Sequence, residues 1–222
     1  MFRVITVVLI FLLAHGGFLT SDSTWPTPEK LAQSLQQRYQ KISDFSADFV
    51  HIYQGGVLRK QVTERGTMAI KKPGMMKWNY TKPERKLFIS NGRKLYSYLL
   101  EDKQVIISEA PSNNQTTPVT FLAGKGNLTK DFTASYSQDL PTPETYNLRL
   151  VPSKSGPEYK DLTIVIDRVT LQIRGLSTTD YQGGQSIFSF SNLKENKGLS
   201  EQDFEFTIPR GVDVINDDRQ LE

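Results

Sequence analysis

The chain has 222 residues, 37% of them hydrophobic, and a formal net charge of only +3. This length suits a single domain, and the near balance of charge argues against a nucleic-acid-binding protein. The absence of cysteine excludes a disulfide-stapled scaffold, a thiolate nucleophile and cysteine-based metal sites.

The N-terminal residues have the composition of a secretory signal peptide. Arg3 precedes an apolar run at positions 4–13, which is too short to span a bilayer but suits a signal-peptide core. Small residues follow, so we expect residues 1–16 to be removed, with cleavage possible anywhere from 16 to 23. Residues 17–222 then form one exported domain without a lipidated cysteine. The alternative is an uncleaved N-terminal anchor.

The next segment predicts one amphipathic helix followed by strands. Thr27 is a candidate N-cap, Pro28 suits the first helical position, and apolar residues recur at helical spacing as far as Ile42. From Phe45 onward the apolar period changes to two, which is typical of strands with one buried face. A clear hairpin turns at Asp167.

The remaining pattern predicts about eleven antiparallel strands, the last of them at 204–208. A sheet of that size curls rather than staying flat. Residues 110–127 are rich in Pro, Asn, Thr and Gly around an apolar centre. We expect a loop there with a short helix at 118–123, acting as a lid.

The most informative segment is 66–98, where three strand-like runs place large apolar residues at every second position. Methionine is adaptable and is over-used at promiscuous binding surfaces, so this face suits a ligand that comes and goes. An ordinary packed core is the alternative interpretation for any single residue. The candidates for an apolar cavity and its lid are Leu35, Met68, Ile70, Met76, Trp78, Tyr80, Phe88, Tyr96, Tyr98, Phe121 and Leu122.

Basic residues are concentrated in the same part of the chain. Positions 58–94 hold eleven basic and only two acidic residues. They are either solvated strand faces or a basic rim that attracts an acidic partner or a lipid headgroup.

The sequence supplies little for catalysis. His51 is the only histidine after the leader, and a lone histidine among apolar strand residues is usually packed or at a rim. No phosphate-binding glycine loop, nucleophile elbow or zinc-binding HExxH motif occurs. We therefore expect no enzymatic activity, no cofactor and no metal.

Several motifs together resemble one known family. The Lys72-Pro73 step, Trp78, Pro83, the S-N-G and L-Y-S-Y runs that follow, and the closing F-E-F-T-I-P-R-G-V-D-V segment are similar to the LolA family of periplasmic outer-membrane lipoprotein carriers. The resemblance covers nearly the whole mature chain. It implies a mainly β fold: an incomplete, strongly curved antiparallel barrel with an N-terminal helix and short helices that form a lid over a hydrophobic cavity.

The resemblance also implies a function and its partners. A carrier of this family takes acylated lipoproteins from an inner-membrane LolCDE exporter, crosses the periplasm and delivers them to the outer-membrane receptor LolB, which suits a monomer. The family usually has arginine before the first proline, where it helps to control the lid; here Lys72 keeps the charge without the planar fork. Lys72 and Arg93 are thus candidate gating or partner residues.

Two other functions remain open at this stage. Some LolA-like proteins carry another lipid or glycolipid, which needs only the same apolar cavity. Regulators such as RseB and MucB use the same fold to sense lipoproteins, but they have a second C-terminal domain.

Overall fold

In the computed structural model the chain folds into one continuous, curved sheet of twelve strands with helix α1 on its concave side. The predicted leader and the first half of the predicted loop helix at 118–123 lie outside the described residues. The structure describes residues 25–55, 60–110, 121–138, 142–154 and 159–217.

Helix α1 (Pro28–Gln40) begins where the sequence predicts it. The Thr27 hydroxyl accepts a hydrogen bond from the Lys30 backbone N–H at 3.3 Å, and Pro28 occupies the first turn, where its missing N–H costs nothing. One face of the helix is buried against the sheet. That face consists of Leu31, Ala32, Leu35 and Tyr39.

The sheet has two halves joined by its central strands. β1 pairs with β2 on one side and with β11 on the other, along most of its length. The order across the sheet is β12-β6-β5-β4-β3-β2-β1-β11-β10-β9-β8-β7. The strands are β1 (Asp44–Gln54), β2 (Gln61–Lys71), β3 (Met75–Lys82), β4 (Lys86–Asn91), β5 (Lys94–Leu99), β6 (Gln104–Glu109), β7 (Phe132–Tyr136), β8 (Thr145–Pro152), β9 (Tyr159–Asp167), β10 (Ile173–Asp180), β11 (Gln185–Glu195) and β12 (Asp213–Asn216).

Short helices complete the described part of the chain. Helix α2 (Leu128–Asp131) leads into β7, and a 3-10 helix (Glu201–Phe204) follows β11. Of the predicted loop helix, the described residues 121 and 122 are helical.

The predicted mainly β fold is confirmed, with two corrections at its C-terminal end. The predicted strand at 204–208 is wrong: Phe204 ends the 3-10 helix, and residues 205–209 pair with no strand among the described residues. Phe204 is buried and Phe206 packs on Tyr96 and Tyr98, so the alternation there reflects burial without sheet pairing. The last strand, β12, runs parallel to β6, whereas we expected an antiparallel sheet throughout.

The cross-strand register places the apolar residues of successive strands on one face. Met68 lies opposite Ala47 on one side and Trp78 on the other, and Leu148 lies opposite Ile164. Residues directly opposite each other in a sheet point to the same side. The resulting apolar face is continuous from β3 to β8 and forms the core together with α1.

A glycine makes room for the aromatic residues of this face. Gly66 lies between Phe49 on β1 and Tyr80 on β3. A Cβ at Gly66 would collide with the carbonyl oxygen of Asn79 and approach the Phe49 ring to 2.8 Å. The backbone of β3 at Asn79 cannot move aside without breaking the hydrogen bonds between β2 and β3.

We expect Gly66→Ala to lower the free energy of unfolding by about 2–3 kcal/mol, because overpacking a close-packed site forces backbone shifts. Gly55→Ala is the matched control, since a Cβ there meets its nearest atoms at an ordinary 3.9 Å. Urea unfolding of both variants checks the prediction, and equal stability losses would contradict it.

Candidate functional site

Most of the predicted cavity residues lie together on the concave face of the sheet. Cross-strand pairs align Ile70 with Met76 and Trp78 with Met68 and Phe88. Tyr80 lies on the same face beside Phe49, at 4.8 Å between ring centroids. Phe88 is half-buried and faces this side.

Three other predicted residues cover this face from above. Leu35 of α1 is completely buried, as are Phe121 and Leu122 just before the turn at 123–124. All three belong to the same apolar cluster as Trp78 and Met68. We name residues 121–124 the cover segment.

Tyr96 and Tyr98 do not join this site, which corrects the sequence-based grouping. On β5 they lie opposite Ile89 and Leu87, whose side chains point away from Trp78. Their partner is Phe206, at 5.3 and 5.9 Å between ring centroids. Period-two alternation predicts that one face is apolar but does not tell which face, and here the C-terminal segment covers the convex side.

Sequence reasoning also missed half of the concave face. The strands β8 to β11 contribute a second group of apolar residues to the same cluster. The sequence around the hairpin at Asp167 shows alternating apolar residues. It does not predict that these strands lie on the same concave face as the methionine-rich strands, because that depends on the order of strands in the sheet. The group includes Leu148, Leu150, Leu162, Ile164, Leu176, Phe188 and Phe190.

The last turn of α1 is held to the cover segment through Tyr39. Its hydroxyl donates a hydrogen bond to the Leu122 carbonyl at 2.6 Å, and its ring stacks on Phe121 at 4.9 Å. Burial raises the pKa of the Tyr39 phenol well above its ordinary value, so the hydroxyl keeps its proton and remains a donor.

A second contact ties α1 to the other half of the sheet. The Arg38 guanidinium binds both carboxylate oxygens of Glu195 on β11, at 3.0 and 2.7 Å. Its Nε also donates to the Thr170 carbonyl at 2.7 Å. This bidentate arrangement fixes the direction of the arginine as well as its distance.

Lys72 forms a third contact with the same turn of α1. Its Nζ donates to the Tyr39 carbonyl and lies 3.5 Å from the centroid of the Tyr39 ring. The cover segment reaches this place as well, since the Ala123 carbonyl accepts from the Gly74 N–H at 2.9 Å. Burial lowers the pKa of the Lys72 ammonium to about 8.

Arg93 lies outside this group of contacts. It is exposed in the turn between β4 and β5, and the neighbouring Gly92 packs against the turn that contains Gly74. The Arg93 carbonyl accepts a hydrogen bond from the Ala110 N–H at 2.8 Å. Its position suits an external partner better than the lid.

A polar network marks the other end of the concave face. His51 contacts Glu64 through Nδ1 at 3.1 Å and Ser186 through Nε2 at 2.9 Å, and the Lys86 ammonium donates to Glu64 at 2.7 Å. The His51 ring stacks on Phe188 at 4.1 Å. Burial lowers the pKa of His51, while the hydrogen bond to Glu64 raises the pKa of Lys86.

Ser186, His51 and Glu64 are hydrogen-bonded in the same order as the serine, histidine and acidic residue of a hydrolase triad. Such a site needs N–H donors aimed at the developing oxyanion. Ser186 lies within β11, whose backbone pairs with β1 on one side and β10 on the other, so its own strand offers no such donors. These hydrogen bonds make the network a connected polar cluster at this end of the concave face.

The apolar space under α1 is nearly closed in this structure. The gap between its last turn and the sheet has a volume of about 10 Å³, roughly one water. A depression of about 630 Å³ lies instead on the convex face, among polar residues such as Arg149, Thr163 and Ser177. A ligand that enters the gap under α1 must therefore displace the last turn of α1 or the cover segment.

Neither a metal-binding cluster nor a membrane-spanning helix occurs in the described residues. They contain no group of three or more His, Asp or Glu side chains arranged to hold a metal ion. In the same ranges, no helix has the length and apolarity required to cross a membrane.

Comparisons with known proteins agree with this architecture. Residues 40–207 match the family model described as "Outer membrane lipoprotein carrier protein LolA". The chain is similar to the outer-membrane lipoprotein carrier proteins of Chromohalobacter salexigens, at 28% identity over 92% of this chain and 96% of the relative, and of Methylococcus capsulatus, at 27% identity over 95% and 97%.

A solved structure supports the fold alone. An uncharacterized conserved protein from Thermus thermophilus superposes with a TM-score of 0.54, at 13% identity, over 83% of this chain and 98% of that protein. Because the family model covers most of the chain and the concave apolar site is present, this chain belongs to the LolA family of outer membrane lipoprotein carrier proteins.

Proposed function

We propose that this protein is a periplasmic carrier that holds the acyl chains of lipoproteins between the concave face and its cover. The observation that carries the proposal is the cover itself. A continuous face of apolar and aromatic residues is sealed by α1 and the cover segment, and a few polar contacts around Tyr39 hold them in place. Such a face suits acyl chains once the cover moves.

The energetics explain why an acylated protein needs such a carrier. Each methylene removed from water is worth about 0.8 kcal/mol, so a protein with several acyl chains is strongly retained by its membrane. In this structure Leu35, Phe121 and Leu122 occupy the apolar face themselves. Cargo has to displace these side chains, which lowers the net affinity and makes release to an acceptor feasible.

The route follows from the family. We propose that the chain is exported after loss of residues 1–16, that it takes cargo from a LolCDE-type exporter and that it delivers to a LolB-type receptor. Relatives named as outer-membrane lipoprotein carriers support this assignment. The basic residues at the turns of β2 to β5, with Arg93 among them, are the candidate contacts for these partners.

Native mass spectrometry with a synthetic triacylated lipopeptide tests the function directly. We expect a one-to-one complex that a single-chain fatty acid displaces poorly, because three chains bury more area than one. A protein that binds no lipopeptide but retains a different copurified lipid would overturn the proposal in favour of another cargo.

Weakening the contact between α1 and β11 should favour loading. Glu195→Gln removes the charge that fixes Arg38, and we expect the empty protein to lose about 1 kcal/mol of stability. Because the closed state competes with cargo, lipopeptide affinity should rise about fivefold for the same 1 kcal/mol. Urea unfolding and lipopeptide titration measure the two effects.

The control for this variant is an ion pair away from the cover. Arg149 and Asp161 pair at 2.8 Å on strands β8 and β9, so Asp161→Asn should change stability without raising affinity. An equal change of lipopeptide affinity in both variants would contradict a role of Glu195 in closure.

The ammonium of Lys72 makes closure dependent on pH. Its pKa is about 8 when α1 is closed and returns toward the ordinary value near 10.4 when the side chain is solvated. Between these values the open state binds the proton more strongly, so the closed state gains stability as pH rises from about 8 to about 10. Below about pH 8 both states are protonated, and the cost of burial stays constant.

We therefore expect lipopeptide affinity to fall between about pH 8 and about pH 10 in the wild type and to stay level in Lys72→Met. The titration uses a lipopeptide without ionisable groups, so that only the protein responds. Lys160→Met, at an exposed position of β9, should keep the wild-type trend. The same pH profile in Lys72→Met would refute the assignment.

A further inference from the structure

One buried hydrogen-bond donor on the concave face has no partner. The indole Nε1–H of Trp78 is enclosed and makes no hydrogen bond within the described residues. The side chain is only 4% exposed. Its neighbours are apolar or aromatic: Phe49 and Phe188 approach it edge-to-face at 5.2 and 5.3 Å, and Met68 and Phe88 lie opposite it on the adjacent strands.

An unpaired donor in such a place is costly. Burying a polar group without a hydrogen bond costs about 1–3 kcal/mol, and the indole N–H of a buried tryptophan usually has a partner. An aromatic ring face accepts only a weak hydrogen bond. Phenylalanine would fill much of the same space without this cost, so the N–H calls for an acceptor that arrives with a ligand.

The position of Trp78 along the strands indicates which part of a ligand reaches it. Toward α1 the concave face is apolar, with Met76 and Ile70 next in register. In the other direction it becomes polar within a short distance, at Glu64, His51 and Lys86. Phe188 contacts both Trp78 and the His51 ring. Trp78 therefore lies at the boundary between the apolar and the polar part of the face.

We propose that Trp78 donates its indole N–H to a carbonyl of the cargo's acyl groups, so that ester or amide linkages bind level with this residue. The inference rests on the proposed carrier function. Every acyl chain has a carbonyl group in its ester or amide linkage, and this carbonyl is a strong hydrogen-bond acceptor. It lies between the hydrocarbon chain and the polar part of the cargo. The hydrocarbon then extends toward Ile70 and α1, and the glycerol and peptide lie toward His51 and Lys86.

A cycle of variants and ligand analogues tests this hydrogen bond. The first probe is a triacylated lipopeptide with two ester-linked chains and one amide-linked chain. The second probe has ether links in place of the esters and keeps the amide. Replacing Trp78 by phenylalanine loses packing equally with both probes, so a difference between the probes reports the hydrogen bond alone.

We expect Trp78→Phe to bind the ester probe about 3- to 10-fold more weakly than the wild type does, which is the net value of one hydrogen bond. A smaller loss with the ether probe assigns the bond to an ester carbonyl. An equal loss with both ester and ether probes, together with a smaller loss when a third probe lacks the amide carbonyl, assigns the bond to the amide, whereas an equal loss with all three probes reports lost packing only and contradicts the inference. Trp25→Phe is the matched control, because Trp25 is 38% exposed and packs on Tyr136 and Tyr146.

The indole proton itself gives a second readout that needs no variant. In the wild type, the Trp78 Nε1–H resonance should move downfield and exchange more slowly with the bound ester probe, while the Trp25 signal stays unchanged. A resonance that does not respond to any probe, with all probes bound equally by wild type and Trp78→Phe, overturns the inference and leaves the carrier function intact. Failure of every lipopeptide to bind refutes both.

Discussion

The structure depends on one constraint: the concave apolar face of the sheet cannot be left in water. An open sheet with aromatic and methionine side chains on one side has to be covered, whether or not cargo is present. In this structure Leu35 and the cover segment fill this role. The affinity for cargo is therefore a difference between two ways of covering the same surface, and a small change in the cover shifts it.

The two halves of the face have different side chains, which suggests how the cover moves. Under the body of α1 lie strands β7 and β8 with fully buried leucines such as Leu148 and Leu150, and the Leu128 N–H donates to the Gln36 side chain at 2.9 Å. The β2 to β4 half has methionines and aromatic residues instead. Branched aliphatic packing favours one arrangement, whereas methionine adapts to several. We therefore propose that the leucine half is the fixed side and that the Tyr39 end of α1 is the one that opens.

Besides the Tyr39 hydroxyl, two cationic side chains make the polar contacts that hold this end. Lys72 has one strong acceptor, the Tyr39 carbonyl, and its ammonium lacks the planar fork of several donors that an arginine has. In this chain Arg38 of α1 has such a planar group, and it donates hydrogen bonds to the Glu195 carboxylate and to the Thr170 carbonyl. Both contacts converge on consecutive residues of α1. Closure therefore keeps its directional hydrogen bonds although the residue before the first proline of the motif is a lysine.

Local pattern was sufficient to predict the elements but not their neighbours. The cap at Thr27 and the hairpin at Asp167 follow from short-range chemistry and were predictable. Tyr96 faces the convex side, where Phe206 of the C-terminal segment covers it. The parallel pairing of β12 arises because the same segment then runs along β6. The Arg38–Glu195 pair joins residues that are 157 positions apart. Sequence periodicity cannot predict this ion pair, because the two residues meet only when the curved sheet brings β11 next to α1.

The change from apolar to polar along the strands gives the site a direction. A face that was apolar throughout would accept an acyl chain in either orientation and at any depth. The network of His51, Glu64 and Lys86 is held together by hydrogen bonds, but covering it with hydrocarbon would remove its partly exposed charged groups from water without compensation. This gradient supports the proposed orientation, in which the methyl ends of the chains lie toward α1 and the acylated protein lies at the polar end. In that orientation the cargo's head would remain accessible to an acceptor.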